Sequence, residues 1–470
     1  MENSRNSPIT RQSCEAQEFP ASPADLPAEI ERELELGVLE FLRHCGLDAA
    51  RLCLGLSGGI DSMVLLEILS RLRAHLKEPP QALHVHHGIS AHADRWAQFC
   101  RSACEVRGIS LSLQTVQVNR RGGESPEAQA RERRYAAFER ADADVILLAH
   151  HLDDQCETFF LRLLRGSGVT GLAGMAQDRA LARHSSKRVA RPLLSVARQH
   201  VLAYARSRSL SWIEDESNGD LNLARNFLRL DVLPLIESRF PAYRATIGRA
   251  LGSLRDASAL LEARARADLQ HVWRHQSLSV QCLRELGCER ALGVLRLHLA
   301  DHGCRAPPRA RLEEVLRQSF SAKEGARVAV NLGEGSYRRF RGGLFWVSAM
   351  PAGRTRIPWD GAGQAAVQGG ELRFTTRLGE GLSRSKLMQA PCVVRFRNGG
   401  ERLKVAPDRP TRSLKNLLQE HAIAPWERDA LPLFYCGEHL AWIARVGYDC
   451  RLLARPTEPG VVIEWIPRVC

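Results

Sequence analysis

The 470-residue chain carries 66 Lys and Arg against 53 Asp and Glu, a formal charge of +13, with 25% charged and 44% hydrophobic residues. This describes a soluble globular protein of two to four domains. No run approaches the ~18 uninterrupted apolar residues of a membrane span, and residues 1–26 are polar, without a signal-like apolar core. The 13 cysteines include no Cys-x-x-Cys; reduced thiols and a cytoplasmic protein are expected, with neither zinc nor an iron–sulfur cluster. The excess positive charge and a pI near 9.4 point to a polyanionic partner.

Residues 1–45 read as a polar extension, expected to be disordered. From about residue 50 to 215, short apolar runs alternate with helical segments. Strands are expected at Leu52–Leu56, Ala82–His86, Leu111–Val118 and Val145–Ala149. Helices are expected at Asp61–Ala74, Ala93–Arg107, Pro126–Arg140 and Asp154–Leu164. Such alternation predicts an α/β fold, a doubly wound parallel sheet with ligands at the carboxyl ends of its strands.

The first strand runs into Ser57-Gly58-Gly59-Ile60-Asp61-Ser62, with helical periodicity directly behind it. Two glycines let the backbone turn tightly and bring its N–H groups close to an anion. The helix N-terminus adds unpaired donors and partial positive charge. The loop should hold phosphate. It is not a Walker A loop, because no Gly-Lys-Ser/Thr follows.

On the helix Pro126–Arg140, Arg131 and Arg134 stand one turn apart, able to reach phosphates or to form a solvated basic face. The fourth strand leads into His150-His151-Leu152-Asp153-Asp154-Gln155-Cys156-Glu157, which should share a crevice with the phosphate loop. Asp153, Asp154 and Glu157 fall on one helix face. They can hold Mg²⁺, bind a substrate ammonium, or simply cap the helix. No third ligand is suitably spaced for His150 and His151 to bind zinc. Gly166-Ser167-Gly168 ends the helix at Arg165 and provides a loop able to touch a large substrate.

Residues 225–350, opening on Arg225-Asn226, read as a mainly helical middle domain rich in Arg. Residues 350–366, with Pro351, Gly353, Pro358, Gly361 and Gly363, read as a linker. Residues 365–470 read as a small α+β domain, with strands at Leu372–Thr376, Cys392–Phe396, Leu433–Tyr435 and Leu440–Ile443 and a helix at Ser413–His421. Its basic cluster of Arg395, Arg397, Arg402, Lys404, Arg409, Arg412 and Lys415 can neutralise phosphates without reading bases.

The string Ser57–Ser62 resembles the Ser-Gly-Gly-x-Asp-Ser signature of PP-loop ATP pyrophosphatases. Further motifs follow in order: His150-x-x-Asp153-Asp154-Gln155-x-Glu157-Thr158, Arg165-Gly-Ser-Gly-x-x-Gly-Leu, Arg191-Pro-Leu-Leu, Asp215-x-Ser-Asn218 and Arg225-Asn226. Together they resemble the tRNA(Ile)-lysidine synthase family over nearly the whole chain from about residue 50. Gly400-Glu401-Arg402, Ser413-Leu-Lys-Asn-Leu-Leu-Gln and Pro425-Trp426-Glu-Arg-Asp429 resemble its terminal domain. Where the family often has Gly-Asp-Arg, Glu401 keeps the charge.

The resemblance implies a PP-loop, adenine nucleotide α-hydrolase-like catalytic domain at 46–224. It also implies a tRNA-contacting middle domain at 225–350 and a tRNA-binding C-terminal domain at 365–470. The substrates it implies are ATP with Mg²⁺, free L-lysine and a minor isoleucine tRNA with a CAU anticodon, with no membrane and no obligate protein partner. The wobble cytidine is adenylated through O2, and the lysine ε-amine then displaces AMP at C2, leaving lysidine. On this basis Ser57, Gly58, Gly59, Ile60, Asp61 and Ser62 bind ATP, Asp61 and Asp154 hold Mg²⁺, and Asp153 or Glu157 binds lysine. Asp61, Asp154, Glu157 and Arg131 form the catalytic set. Arg165, Arg225, Arg395, Arg397, Arg402, Lys404, Arg412 and Lys415 contact tRNA.

Overall fold

The computed structural model describes residues 26–86, 88, 92–116, 126–182, 185–215, 219–323, 326–348, 356–361, 363–367 and 369–467. The first 25 residues of the expected extension, and Asn218, lie outside the described residues. Packing divides the chain into two compact units, Met1–Arg264 and Ala265–Cys470.

The first unit begins α1 (Leu26–His44), β1 (Leu52–Gly55), α2 (Ile60–Arg71), β2 (Gln81–His86), α3 (Ala93–Val106), β3 (Ser110–Thr115), α4 (Pro126–Arg140) and β4 (Val145–Leu147). It continues through α5 (Leu152–Leu164), α6 (Val169–Leu172), β5 (Asp178–Ala180), β6 (Arg188–Ala190), α7 (Arg198–Ser207), α8 (Ala224–Phe227) and α9 (Leu233–Arg239). Last comes α10 (Tyr243–Val272), whose end from Ala265 belongs to the second unit.

The six strands form one sheet in the order β3-β2-β1-β4-β6-β5. Every neighbouring pair is parallel except β5 against β6. Strand order reverses between β1 and β4, which opens a crevice at their carboxyl ends. Side chains alternate between two cores, as the strand period of two requires. Leu52, Leu54, Val145 and Leu147 join the core of α1, α2, α3 and α7. Cys53 and Ile146 join Ala137 and Phe138 of α4 on the other face. The sheet is thus covered on both sides. The expected strands and helices recur within a few residues, but β5 and β6 are too short to carry a readable alternation.

The extension expected over residues 1–45 needs correction at its end. Residues 26–44 are α1, and Leu34, Val38, Leu39 and Leu42 are buried in the first core at helical spacing. Interleaved Glu residues made the segment read as polar. One of them, Glu35, accepts hydrogen bonds from Tyr204 (2.9 Å) and Arg71 Nε (2.5 Å). The boundary expected at 224/225 also lies elsewhere. Leu233 of α9 and Tyr243 of α10 pack on Cys156 of α5, with Phe160, Ile236 and Ile247 around them. That contact keeps residues up to Arg264 with the sheet.

The second unit holds two cores. In one, α11 (Val280–Leu286), α12 (Cys288–Asp301) and α13 (Arg309–Ser321) supply the expected helices. They pack on an antiparallel sheet that the sequence reading did not expect, of β7 (Trp273–Arg274), β8 (Ser277–Ser279), β9 (Ala329–Asn331), β10 (Gly335–Phe340) and β11 (Gly343–Ser348). The order is β7-β8-β11-β10-β9. Its longest hairpin, Gly335–Phe340 with Gly343–Ser348, is dense in Arg and Gly and so resembles a loop in composition.

In the other core, Ile357–Trp359, Cys392–Arg395, Leu433–Cys436, His439–Ile443 and Gly447–Tyr448 form one antiparallel sheet. Gln364–Val367, Gly370–Leu378, Pro459–Pro467 and Leu382–Ser383 form a second, and the helix Leu414–Glu420 completes the core. Two of these strands fall in the expected linker: Pro358 is tolerated because Ile357–Trp359 lies at a sheet edge. Among the described residues, no helix is long and apolar enough to cross a membrane.

Candidate active site

The Ser57–Ser62 loop leaves the end of β1 and enters α2, which is anchored by fully buried Val64, Leu65, Leu66, Ile68 and Leu69. Two serine hydroxyls brace the turn. Gly58 N–H donates to Ser62 Oγ (3.2 Å), Gly59 N–H to Ser57 Oγ (3.3 Å), and Ser62 Oγ–H to Gly59 O (2.9 Å). Met63 donates to Gly59 O (3.0 Å), so the N–H groups of Ile60, Asp61 and Ser62 precede the helical ladder and are available to an anion.

Gly58 has φ +86°, and a Cβ there would lie 2.6 Å from Ile213 Cδ1 and 3.1 Å from Cys100 Sγ. Gly58→Ala is therefore expected to shift the loop at a cost of about 1–3 kcal/mol. If that cost falls on the ATP-bound conformation, pyrophosphate exchange drops by roughly 5- to 150-fold. An exchange rate unchanged in Gly58→Ala would show that the loop does not position phosphates.

The second motif meets this loop at the switch point. His151 caps α5: its backbone N–H donates to Asp154 Oδ2 (3.0 Å) while Asp154 N–H donates to His151 Nδ1 (3.4 Å). His151 Nε2 lies 3.6 Å from Asp61 Oδ1 and 3.6 Å from Asp154 Oδ2. Burial lowers the imidazole's pKa, but Asp61, Asp154 and Asp153 outweigh it and the net shift is upward. His150 goes the other way. Burial, with Arg191, Arg225 and Arg131 against Asp154 alone, pushes it down to about 4 and leaves it neutral at physiological pH. Asp61 Oδ1, His150 Nδ1 and His151 Nε2 are all buried without a hydrogen-bond partner. Orphaned polar atoms are uncommon inside a folded protein, and Asp61 Oδ1 and His151 Nε2, 3.6 Å apart at the phosphate loop, mark a binding site.

The carboxylates predicted on α5 are all buried there, but their partners differ. Asp153 Oδ2 accepts from Arg198 N–H at the start of α7 (2.8 Å), and Oδ1 accepts from Arg244 Nε (2.6 Å). Asp154 Oδ1 accepts from Arg225 Nη2 (3.0 Å) and Arg229 Nη2 (3.4 Å). Glu157, 1% exposed in its side chain, accepts from Arg225 Nε and from Arg229 Nε (2.6 Å). Burial raises the pKa of Asp154, yet His151, Arg225 and His150 bring it below the ordinary value. Arg225, expected to contact tRNA, is thus engaged in the carboxylate cluster.

Arg229, Arg244 and His151 are site residues that the sequence reading left unassigned. Arg225 and Arg229 stand four apart, a spacing that mirrors the one-faced carboxylates and could have flagged the pair. Arg229 sits in a π-helical turn, Leu228–Val232, between α8 and α9. Nothing local marks Arg244, which reaches Asp153 only because α10 packs against α5.

Arg131 is exposed and stacks on Tyr135, its guanidinium carbon 5.1 Å from the ring centre. Arg179 lies 5.8 Å from the same ring. Together with buried Arg191, these charges make the β4 side of the crevice electropositive. Arg165 is exposed at the end of α5, where Gly166 at φ +72° closes the helix.

The residues of the expected basic cluster lie in the second unit, with Arg402 and Arg412 on the paired strands Arg402–Leu403 and Arg412–Ser413. Arg402 and Lys415 are exposed and Lys404 half-buried. Arg395 pairs with Glu438 (3.4 Å), Arg397 with Asp429 (3.5 Å), and Arg412 with Glu420.

Comparison with known proteins accounts for both units. A PP-loop domain family model matches residues 30–236. The TilS substrate binding domain matches 278–345 and the TilS substrate C-terminal domain 392–465. The tRNA(Ile)-lysidine synthase of Nitrosomonas europaea is 40% identical over 421 residues, 89% of this chain and 92% of that protein. The enzyme of the same name from Azoarcus sp. is 39% identical over 438 residues, 91% of this chain and 94% of its own. With the ATP-type loop, the carboxylate helix and both terminal substrate domains present in one order, the chain belongs to the tRNA(Ile)-lysidine synthase family.

Proposed function

We infer that this chain is an ATP-dependent ligase that joins L-lysine to C2 of the wobble cytidine in the CAU anticodon of a minor isoleucine tRNA, forming lysidine. The observation that carries the site is Asp61 Oδ1 and His151 Nε2, both buried without a hydrogen-bond partner and 3.6 Å apart at the Ser57–Ser62 loop. In this reading the loop N–H groups and the first turn of α2 receive the ATP phosphates. Asp61 and Asp154 flank His151 and offer hard oxygen donors suited to Mg²⁺, which when bound neutralises phosphate charge. Arg131 on the electropositive wall stabilises the adenylate as cytidine O2 attacks the α-phosphate and pyrophosphate leaves.

Glu157 is the better candidate for the lysine ammonium, since both oxygens of Asp153 already hold α7 and α10 in place. A carboxylate there binds the ammonium and accepts its proton before the amine attacks C2 and expels AMP. Arg225 and Arg229 occupy Glu157 in the structure. We assign Arg225, 41% exposed, as the arm that turns toward phosphate and frees Glu157 for lysine. Arg165 and the cluster of Arg395, Arg397, Arg402, Lys404, Arg412 and Lys415 would take tRNA phosphates. An unstacked anticodon base enters such a pocket cheaply. The expected cytoplasmic location fits a substrate set of ATP, lysine and tRNA.

The test is incorporation of labelled L-lysine into a CAU-anticodon isoleucine tRNA transcript, with ATP and Mg²⁺, alongside AMP release. One lysine per AMP is the expected result. AMP and pyrophosphate without lysine on the tRNA would mean a different acceptor. Salt-sensitive tRNA binding with no turnover would mean a binding module.

A further inference from the structure

The second unit carries a group of side chains that lysidine formation does not use. His271 stands in the last turn of α10, and Cys282 and Glu285 stand one turn apart on α11. One ligand atom from each, imidazole nitrogen, thiol sulfur and carboxylate oxygen, lies within 4.8 Å of the other two. His271 and Glu285 are exposed and Cys282 is half-buried. We propose that these three residues form a binding site for a zinc-class divalent cation, with the remaining coordination position open to water.

The donors sit on backbone that is already fixed. Val272, next to His271, is fully buried, as is Leu283, next to Cys282. The link between the helices is the β7–β8 hairpin, in which Trp273 pairs with Leu278 and Arg274 with Ser277. Its two turn residues, His275 (φ 47°) and Gln276 (φ 60°), both adopt the left-handed conformation of a tight two-residue turn. Ser279 caps α11 by accepting Cys282 N–H (3.3 Å), and Gln281 donates to Glu285 Oε1 (3.0 Å), which orients that carboxylate.

The donor set selects the ion. A thiolate with an imidazole favours zinc and its neighbours, whereas Mg²⁺ and Ca²⁺ take oxygen ligands. Zinc bonds of about 2.0–2.3 Å in a tetrahedron put ligand atoms roughly 3.3–3.8 Å apart. Side-chain rotation of about 1 Å therefore closes the group. Binding would displace the Cys282 proton, so affinity should rise with pH. It would also tie the last turn of α10 to α11. The expectation of no zinc rested on Cys-x-x-Cys spacing. Here the donors are 11 and 3 residues apart and meet through a hairpin.

The test uses the full-length protein, stripped of metal by chelation and dialysis, with Co²⁺ as an optical probe and Zn²⁺ as competitor. One equivalent of Co²⁺ should bind with thiolate-to-metal charge-transfer absorption, and Zn²⁺ should displace it. Cys282→Ser should abolish the absorption, and His271→Ala should weaken Zn²⁺ binding at least tenfold. Cys288→Ser, at an exposed cysteine outside the group, should change neither. Should Cys282→Ser fail to fold, Glu285→Gln provides the second reading, with weakened binding expected. No thiolate-to-metal absorption at micromolar free Co²⁺, or absorption that survives both Cys282→Ser and His271→Ala, overturns the proposal.

Discussion

Replacing Asp61 with alanine is expected to cut tRNA-dependent ATP–pyrophosphate exchange by about 10²–10³, the range seen when one preorganised electrostatic group leaves a water-poor site. The reason lies in what Asp61 does not do in the fold. Its Oδ1 is buried without a hydrogen-bond partner, and His151 Nε2 lies 3.6 Å away. Little native structure therefore depends on this carboxylate, and unfolding should change by no more than about 0.5–1 kcal/mol. Activity and stability separate. Asp61→Asn keeps the shape but weakens the cation-binding charge, and should lose most of the exchange as well. Exchange within about threefold of the parent in Asp61→Ala would remove Asp61 from the phosphate and metal machinery.

Glu157 should show the opposite profile. Glu157→Gln keeps a hydrogen-bond acceptor for one arginine but removes the charge that would bind a lysine ammonium and take its proton. Pyrophosphate exchange should persist while lysine transfer to tRNA falls by roughly 10²–10⁴, the usual worth of a positioned base. Glu157→Ala adds a structural penalty. It strips a nearly inaccessible acceptor from Arg225 and Arg229. Breaking a fully buried pair costs about 3–5 kcal/mol. These guanidiniums are 41% and 28% exposed and can turn to water, so about 2–3 kcal/mol is expected, the range for charged hydrogen bonds. Chemical denaturation gives the stability, and separate pyrophosphate-exchange and lysine-incorporation assays give the two steps. If Glu157→Gln lost exchange while Asp61→Ala kept it, the division of roles between the two carboxylates would be reversed.

Much of this architecture is written locally. Ser57–Ser62 between an apolar strand and an apolar helix specifies a phosphate-type turn because only glycine reaches φ +86° at Gly58 without strain. The alternation of strands and helices from residue 52 to 164 specifies a parallel sheet, and a parallel sheet places both strand-end motifs in one crevice. The order of motifs specifies the family. Segments whose cues are weak were harder to read. Helix α1 hides its apolar stripe among glutamates, β5 and β6 span three residues each, and the hairpin Gly335–Ser348 carries arginines on strands.

Three carboxylates at helical spacing on α5 were visible in the chain, but which of them is already committed to structure was not. Asp153 is spent on Arg198 and Arg244, and Glu157 is gripped by Arg225 and Arg229. Those partners lie 45 to 91 residues away and arrive only when α7, α8 with the π-helical turn behind it, and α10 dock on the sheet. The sequence by itself determined the residue types, the strand-to-helix turn and the family, because these depend on local conformation and on order along the chain. The tertiary structure alone decided which charges meet, because electrostatic pairing depends on distance in space and on burial, and neither is a property of spacing in sequence.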